Sequence, residues 1–443
     1  REATLMMQFR AKLRPSFRNP WRWLTWLCVG LALSWLVSCS SPSTNSSNAD
    51  GKAEIEFWTM QLQPKFTDYF NTLIAEFETT HPEVTVNWVD VPWADMQSKI
   101  LAAVTAGDAP DVVNLNPDFA SQLASRNAWL SLDDRVSAEE KAVYLPKIWD
   151  ANALNGETFG LPWYLTTRVS IYNTEILAQA GITTPPRTYA DLAEAARLIK
   201  AKTGKYAFFT TTVPQDSAEL LQSFIQMGVP LLNADGSAAF NTPQGKAVFA
   251  YWTNLFREGL LPREVLTQGH RRAIELYQAG ETAILASGSE FLDTIATNAP
   301  SIAAASQSAP QITGETGAKN VAAMNVVVTR NSANPDAAVD FALFVTNNDN
   351  QLAFAKAANV LPSTGAALQD PYFTELPADA SASDKARSVS AQQMDEAEVL
   401  IPATEGIKEL QQIIYENLQA AMLEQKTVDE AIADAAAAWD SRS

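Results

Sequence analysis

The chain has 443 residues, 47% of them apolar, and a net charge of −18, enough apolar material to build a core in more than one lobe. The acidic balance excludes DNA, RNA or anionic lipid surfaces as partners held by a broad basic face, though not a small anion in a locally basic pocket. Only two histidines (His81, His270) and two cysteines (Cys28, Cys39) are present, and no G-x-S-x-G, P-loop or G-x-G-x-x-G motif occurs, so neither a multi-histidine metal centre nor a cofactor is expected.

In chain order, the first feature is an address. Arg10, Lys12, Arg14, Arg18 and Arg22 precede an apolar run from Trp23 to Val37, the length of a signal-peptide core and short for a membrane span. The opening "REATLMM" places the expected start of the leader at Met6 or Met7. The run ends in Leu36-Val37-Ser38-Cys39, which resembles the lipobox of bacterial lipoproteins, in which the cysteine receives a diacylglycerol. The resemblance implies a leader over residues 1–38, lipidation at Cys39, and an exported, periplasmic or extracytoplasmic protein anchored to the membrane surface. Residues 39–53 then form a tether of Ser, Asn, Pro and Gly with nothing to bury, reaching roughly 20 Å as a flexible coil. No later segment approaches the ~20 continuous apolar residues of a membrane helix. With Cys28 lost and Cys39 acylated, no thiol remains for a disulfide or a nucleophile.

"EIEFWT" (54–59) alternates and reads as the first strand. Phe66, Tyr69, Phe70, Leu73, Ile74 and Phe77 recur at helical spacing. "VTVNWVDV" is a second strand, "WADMQSKILAAVTAG" a helix ending near Gly107, and "PDVVNLN" a third strand. This strand–helix alternation is that of a parallel sheet covered on both faces, where ligands bind beyond the carboxyl ends of the strands. "RVSIYN" is a strand feeding a helix, and Thr188-x-x-Asp191 is a capping box opening another. "KYAFFTT" (205–211) reads as a strand, residues 242–260 and 270–287 as two helices and a return strand, "AAMNVVVT" as a strand, and 335–346 and 350–360 as helices. Residues 378–391 read as a surface loop and about 404–439 as helical.

Several segments together resemble family 1 extracellular solute-binding proteins of ABC importers, the group that includes the maltose and glycerol-3-phosphate binding proteins. They are "FWT" before a helix, "AGDAPDVV", "GLPW…SIYN", "PPRTYADL", "AGETAIL", and "ANPDAAVDFALFV" before "NVLPS". Their order covers nearly all of residues 54–440. The resemblance implies an α/β, two-lobe periplasmic-binding-protein-like fold, each lobe a sheet flanked by helices, with the ligand cleft at the hinge. Lobe one is expected over 53–164 and 286–345, and lobe two over 165–285 and 346–443.

Carried over position by position, the resemblance places Met60, Gln61 and Gln63 in the loop that meets sugar hydroxyls. Asn114, Asn116 and Asp118 fall in the loop after "PDVV", where Asp118 as a helix cap is an equal reading. Trp58 and Trp163 are the expected stacking plates, since indole faces suit the C–H faces of sugar rings. Tyr164 and Arg168 sit at the lobe crossing, and His270, Gly288, Ser289, Glu290 and Asn359 complete the expected ligand set. The family's frequent tryptophan after that glycine is missing here. The function implied is a monomeric, non-enzymatic receptor that captures a sugar, disaccharide or polyol glucoside by hinge closure and delivers it to the permease transmembrane subunits. The alternatives are a phosphorylated polyol such as glycerol-3-phosphate held by Arg168, Arg271 and Arg272, a glycoside hydrolase with paired carboxylates, and a scaffold lipoprotein.

Overall fold

The computed structural model describes residues 51–402 and 404–442. The expected leader, the expected lipidation site Cys39 and the expected tether up to residue 50 lie outside them. Among the described residues the strands are β1 (Ala53–Met60), β2 (Val84–Val91), β3 (Val112–Leu115), β4 (Ala153–Leu154), β5 (Glu157–Thr158), β6 (Leu161–Thr167), β7 (Val169–Asn173), β8 (Ile284–Ser287), β9 (Ser306–Ala309), β10 (Lys319–Val328), β11 (Leu361–Pro362) and β12 (Ala397–Glu398). No helix among these residues is long and apolar enough to cross a membrane.

The larger sheet runs β11-β6-β10-β3-β1-β2, with β12 added to β10. β1 pairs in parallel with β2 and β3, while β10 lies antiparallel to β3 and β6. Helices cover both faces. Ile55 and Phe57 of β1 join a core with Phe70, Leu73 and Phe77 of the helix Thr67–Thr80 and Phe341 of the helix Pro335–Val345. Trp58 and Met60, from the same strand, join the opposite core with Met96 and Ile100 of the helix Trp93–Ala106. Residues alternate between faces along a strand, so a central strand buried on both sides loses its polar alternation.

The smaller sheet, β8-β7-β9, is antiparallel. Its core draws on Phe224, Phe249 and Trp252 and on the C-terminal helices Ile407–Met422 and Val428–Asp440. The two sheets and their separate cores make two lobes. Their boundaries differ from the sequence expectation. Residues 286–309 stay with the second lobe, because β8 and β9 both pair β7 and Leu292 and Ile295 lie in its core. Phe354, Leu361 and Phe373 pack in the first lobe, not the second. Trp163 to Thr167 form one continuous strand, so the first crossing falls at Arg168 between β6 and β7.

Three local expectations are also corrected. Residues 205–211 make only one isolated bridge, Tyr206 to Thr282, although Ala207, Phe208 and Phe209 are buried. Residues 382–392 form a helix, not a loop, begun by a capping box in which Ser381 and Asp384 satisfy each other's backbone N–H. The helical C-terminus is two helices, broken after Met422.

Buried glutamines join the crossings. Gln393 Nε2 donates to Thr167 Oγ1 (2.7 Å) and to the Arg168 carbonyl (2.8 Å). Gln393 Oε1 accepts from the backbone N–H of Gln311 on the second crossing, between β9 and β10. Gln311 Oε1 accepts from Asn320 N and from Gln226 Nε2, which also reaches the carbonyls of Ile312 and Ala318.

Candidate ligand-binding cleft

The carboxyl ends of the parallel strands β1, β2 and β3 come out at one edge of the first lobe. The loop after β1 is fixed there. Asp90, on β2, accepts from Thr59 Oγ1 (2.6 Å), Leu62 N (2.9 Å) and Gln63 N (3.0 Å). Gln61 turns in the left-handed region (φ 53°) and its Oε1 accepts from Trp93 N (3.2 Å). Gln61 and Gln63 are exposed at this edge, on a loop held by the partly buried Asp90 carboxylate.

Other expected contacts of the first lobe lie elsewhere. Trp58 and Met60 are buried in its core, with the Lys99 ammonium 4.5 Å over the Trp58 ring. Asn114 is fully buried, its Nδ2 donating to the carbonyl of Asn325 (3.4 Å). Asn116, rather than Asp118, caps the helix Pro117–Ala124, accepting from Phe119 N (2.8 Å). Asp118 instead reaches across to the second lobe and pairs with Lys408 Nζ at 2.7 Å. Trp163 is 0% exposed, stacked on Phe354 at 4.7 Å, because β6 is an inner strand whose odd face points into the first-lobe core. It offers no face to a ligand. Tyr164 is half-buried beside Trp163 and Phe354.

The second-lobe expectations converge. Val169 pairs with Ser287, so the end of β8 emerges beside the Arg168 crossing. Gly288, Ser289 and Glu290 follow directly. The Glu290 carboxylate folds back over Gly288, 2.2 Å from where a Cβ would stand, so a side chain at 288 would displace that carboxylate. His270 opens the helix His270–Gln278, its backbone N–H bonded to Asp216 Oδ1 (2.7 Å) and its Nε2 3.5 Å from Ser287 Oγ. Arg168 donates to Ser217 Oγ (2.8 Å) and pairs with Glu219 (3.4 Å). Asn359, expected in the second lobe, stands with the first instead: left-handed at the end of the helix Asn348–Ala358 and two residues before β11, it donates to Ser383 Oγ (3.2 Å). Its Oδ1 is buried without a hydrogen bond among the described residues.

Burial governs the charge states here. It raises the Glu290 and Glu219 carboxyls above the ordinary range, the Arg168 charge partly opposing this at Glu219. Burial, with the Arg168 charge nearby, pulls the His270 imidazole down to about 4, against an opposing effect of Asp216. A histidine depressed in the folded state adds stability that is complete above about 6.5 and lost as pH falls towards 4, roughly 3 kcal/mol for a shift of this size. The raised carboxyls slope the other way. His270→Gln is therefore expected to flatten specifically the histidine contribution, and the difference in urea-unfolding free energy from wild type at pH 7 and pH 4.5 measures it.

Asp216, Ser217, Glu219 and Ser287 had no motif to flag them; each acts through a partner distant in sequence. Among the described residues no group of three or more His, Cys, Asp and Glu side chains is placed to hold a metal ion.

Two sheets with separate cores, joined by strand crossings, make a two-lobed α/β fold. The model of the family "bacterial extracellular solute-binding protein" matches residues 63–352, and the chain belongs to this family. A protein of Synechococcus sp. MITs9220, described as an oligosaccharide periplasmic-binding protein, is 47% identical, with a TM-score of 0.83 over 87% of this chain and 98% of that one; it has also been solved in complex with zinc. The arabinooligosaccharide-binding protein of Halalkalibacterium halodurans is 26% identical over 311 residues, 68% of each chain. The cyclic alpha-maltosyl-1,6-maltose binding protein of Arthrobacter globiformis shares the fold, with a TM-score of 0.76 at 22% identity over 88% of this chain and 98% of that one.

Proposed function

We propose that the protein is the sugar receptor of an ABC importer, exported and held at the membrane by a lipid on Cys39. It takes a neutral saccharide or polyol glucoside, and closure of the lobes presents the loaded form to the permease. No bond is made or broken. The observation that carries the neutral-ligand reading is the pairing of the cations. Arg168 is engaged by Glu219, Arg271 by Glu275, and Arg272 by both Glu275 and Glu264. Glu290, Asp216, Ser289 and the Gln61–Gln63 loop supply hydroxyl-binding groups instead, since carboxylates and amides suit hydroxyls that both donate and accept.

Thermal shift of the purified protein against mono- and disaccharides, glucosylglycerol and glycerol phosphates, followed by calorimetry, tests this. Ligand at 100 times its Kd stabilises by about 2.7 kcal/mol. A shift with neutral sugars supports the reading; a shift with glycerol phosphates alone moves the ligand class to the anion. Cleavage of a glycoside without binding stabilisation returns the carboxylates to a catalytic role.

Closure draws on the Lys408–Asp118 pair, whose side chains remain 38% and 45% exposed. Such a pair is worth about 0–1 kcal/mol. Lys408→Ala is expected to shift the ligand-free lobes towards the open form by at most about fivefold, an effect that shrinks with added salt. Small-angle scattering across a salt series reads it.

A further inference from the structure

We infer that the hinge carries an internal water site, a cluster of about two or three molecules inside the second lobe, bonded to Arg168, Glu219 and Thr210. A cavity of ≈ 40 Å³ lies there, lined by Arg168 of the first crossing and by Gln311 and Ile312 of the second. Phe208, Trp252 and Ile284, all buried, form its apolar wall. A water needs about 10–15 Å³ of such space and two to four polar partners. Sites for small organic ligands start near about 300 Å³, so the cavity is too small for a sugar ring.

The polar partners are present and free. Thr210 is 3% exposed and lines the cavity, yet its Oγ1 has no hydrogen-bond partner among the described residues. Arg168 Nη1 is buried in the same state, standing 3.4 Å from Glu219 Oε2 but outside hydrogen-bond geometry. Gln226, also on the wall, is engaged elsewhere: its Oε1 accepts from the Tyr189 hydroxyl (2.5 Å) and its Nε2 donates to Gln311 Oε1 (3.2 Å). A buried ion pair is tolerated only where further hydrogen bonds satisfy its remaining protons and lone pairs. Water does this for the whole set, accepting from the guanidinium, donating to the carboxylate, and doing either with the hydroxyl. An anion fits less well, because the Glu219 carboxylate would face it. The waters therefore fasten the first crossing to the body of the second lobe, alongside the direct bond from Arg168 to Ser217. The site is independent of what the cleft binds.

A crystal structure of wild type at a resolution that orders buried water, together with water-relaxation dispersion in solution, tests this. Ordered water within hydrogen-bond distance of Arg168 Nη1 and Thr210 Oγ1 is expected, with long-lived water in solution. Thr210→Val keeps the side-chain shape and trades the hydroxyl for a methyl. In a hydrated cavity it takes a partner from the waters and lowers the melting temperature, by about 1–2 °C. In a dry cavity it removes an unpaired hydroxyl, and the melting temperature holds or rises. Thr210→Ser keeps the hydroxyl and is expected to keep the long-lived waters. An empty cavity in wild type, or a Thr210→Val protein as stable as wild type or more so, overturns the proposal. A bromide soak that gives an anomalous peak in the cavity overturns it in favour of an anion. Occupancy is read on wild type whether or not the valine variant folds.

Discussion

Trp163→Ala is expected to destabilise the protein by about 3–5 kcal/mol, the usual cost of emptying a large aromatic site in a core. The indole is sealed between Phe354, Phe70 and Tyr164, with ring centroids at 4.7, 6.0 and 5.0 Å, so no neighbour is free to collapse into the void without leaving its own contacts. Trp163 Nε1 finds no hydrogen-bond partner among the described residues, and a buried orphan donor costs about 1–3 kcal/mol. Trp163→Phe therefore loses less than the alanine change, because it removes the orphan along with part of the ring. Urea denaturation of the three proteins orders them wild type, Phe, Ala. A melt of the alanine variant within about 1 kcal/mol of wild type would show that the ring is not core.

The second large effect is at Arg168. Arg168→Met is expected to cost about 2–3 kcal/mol, between the about 0–1 of an exposed pair and the 3–5 of a fully buried one. The side chains of Arg168 and Glu219 are 25% and 22% exposed, which sets the discount. Without the guanidinium, Glu219 faces only burial, so its carboxyl rises further and the variant recovers stability as pH is lowered through that raised value. Replacing both residues, Arg168→Met with Glu219→Leu, removes the stranded charge and is expected to return most of the loss. A double variant no more stable than Arg168→Met would mean that Ser217 and the crossing backbone, rather than the ion pair, depend on the arginine.

The alternation of strand and helix in the first lobe was legible because its periods differ, two for "EIEFWT" and 3.6 for the segment holding Phe70, Leu73 and Phe77. The destination of a strand was not. β8 is four residues long, β9 reads Ser-Gln-Ser-Ala with no apolar run to mark it, and which sheet β8, β9 and β10 each join depends on pairing with residues far away in sequence. The same non-locality hid the fate of Trp163. A strand covered on both faces gives no alternation from which to tell the core side from the cleft side. The helix over 382–392 escaped because its buried face is Ala386, Ser388 and Ser390 rather than large apolar residues, although its Ser381-x-x-Asp384 cap was there to be read. Arg168, His270 and the Gly288–Glu290 turn were placed near one another by resemblance, and the pairing of Val169 with Ser287 explains why they meet.

The glutamine bonds between the crossings bear on how the lobes can be tracked. Gln393, Gln311 and Gln226 fasten Thr167, Arg168, Ile312, Ala318 and Asn320 to one another. Crossings fastened in this way resist twisting against one another, so the proposed closure is expected to act as rotation about one axle. One distance between a reporter on each lobe then follows that angle, and a spin-label pair at Gln97 and Glu409 is expected to report a shorter separation when ligand is added.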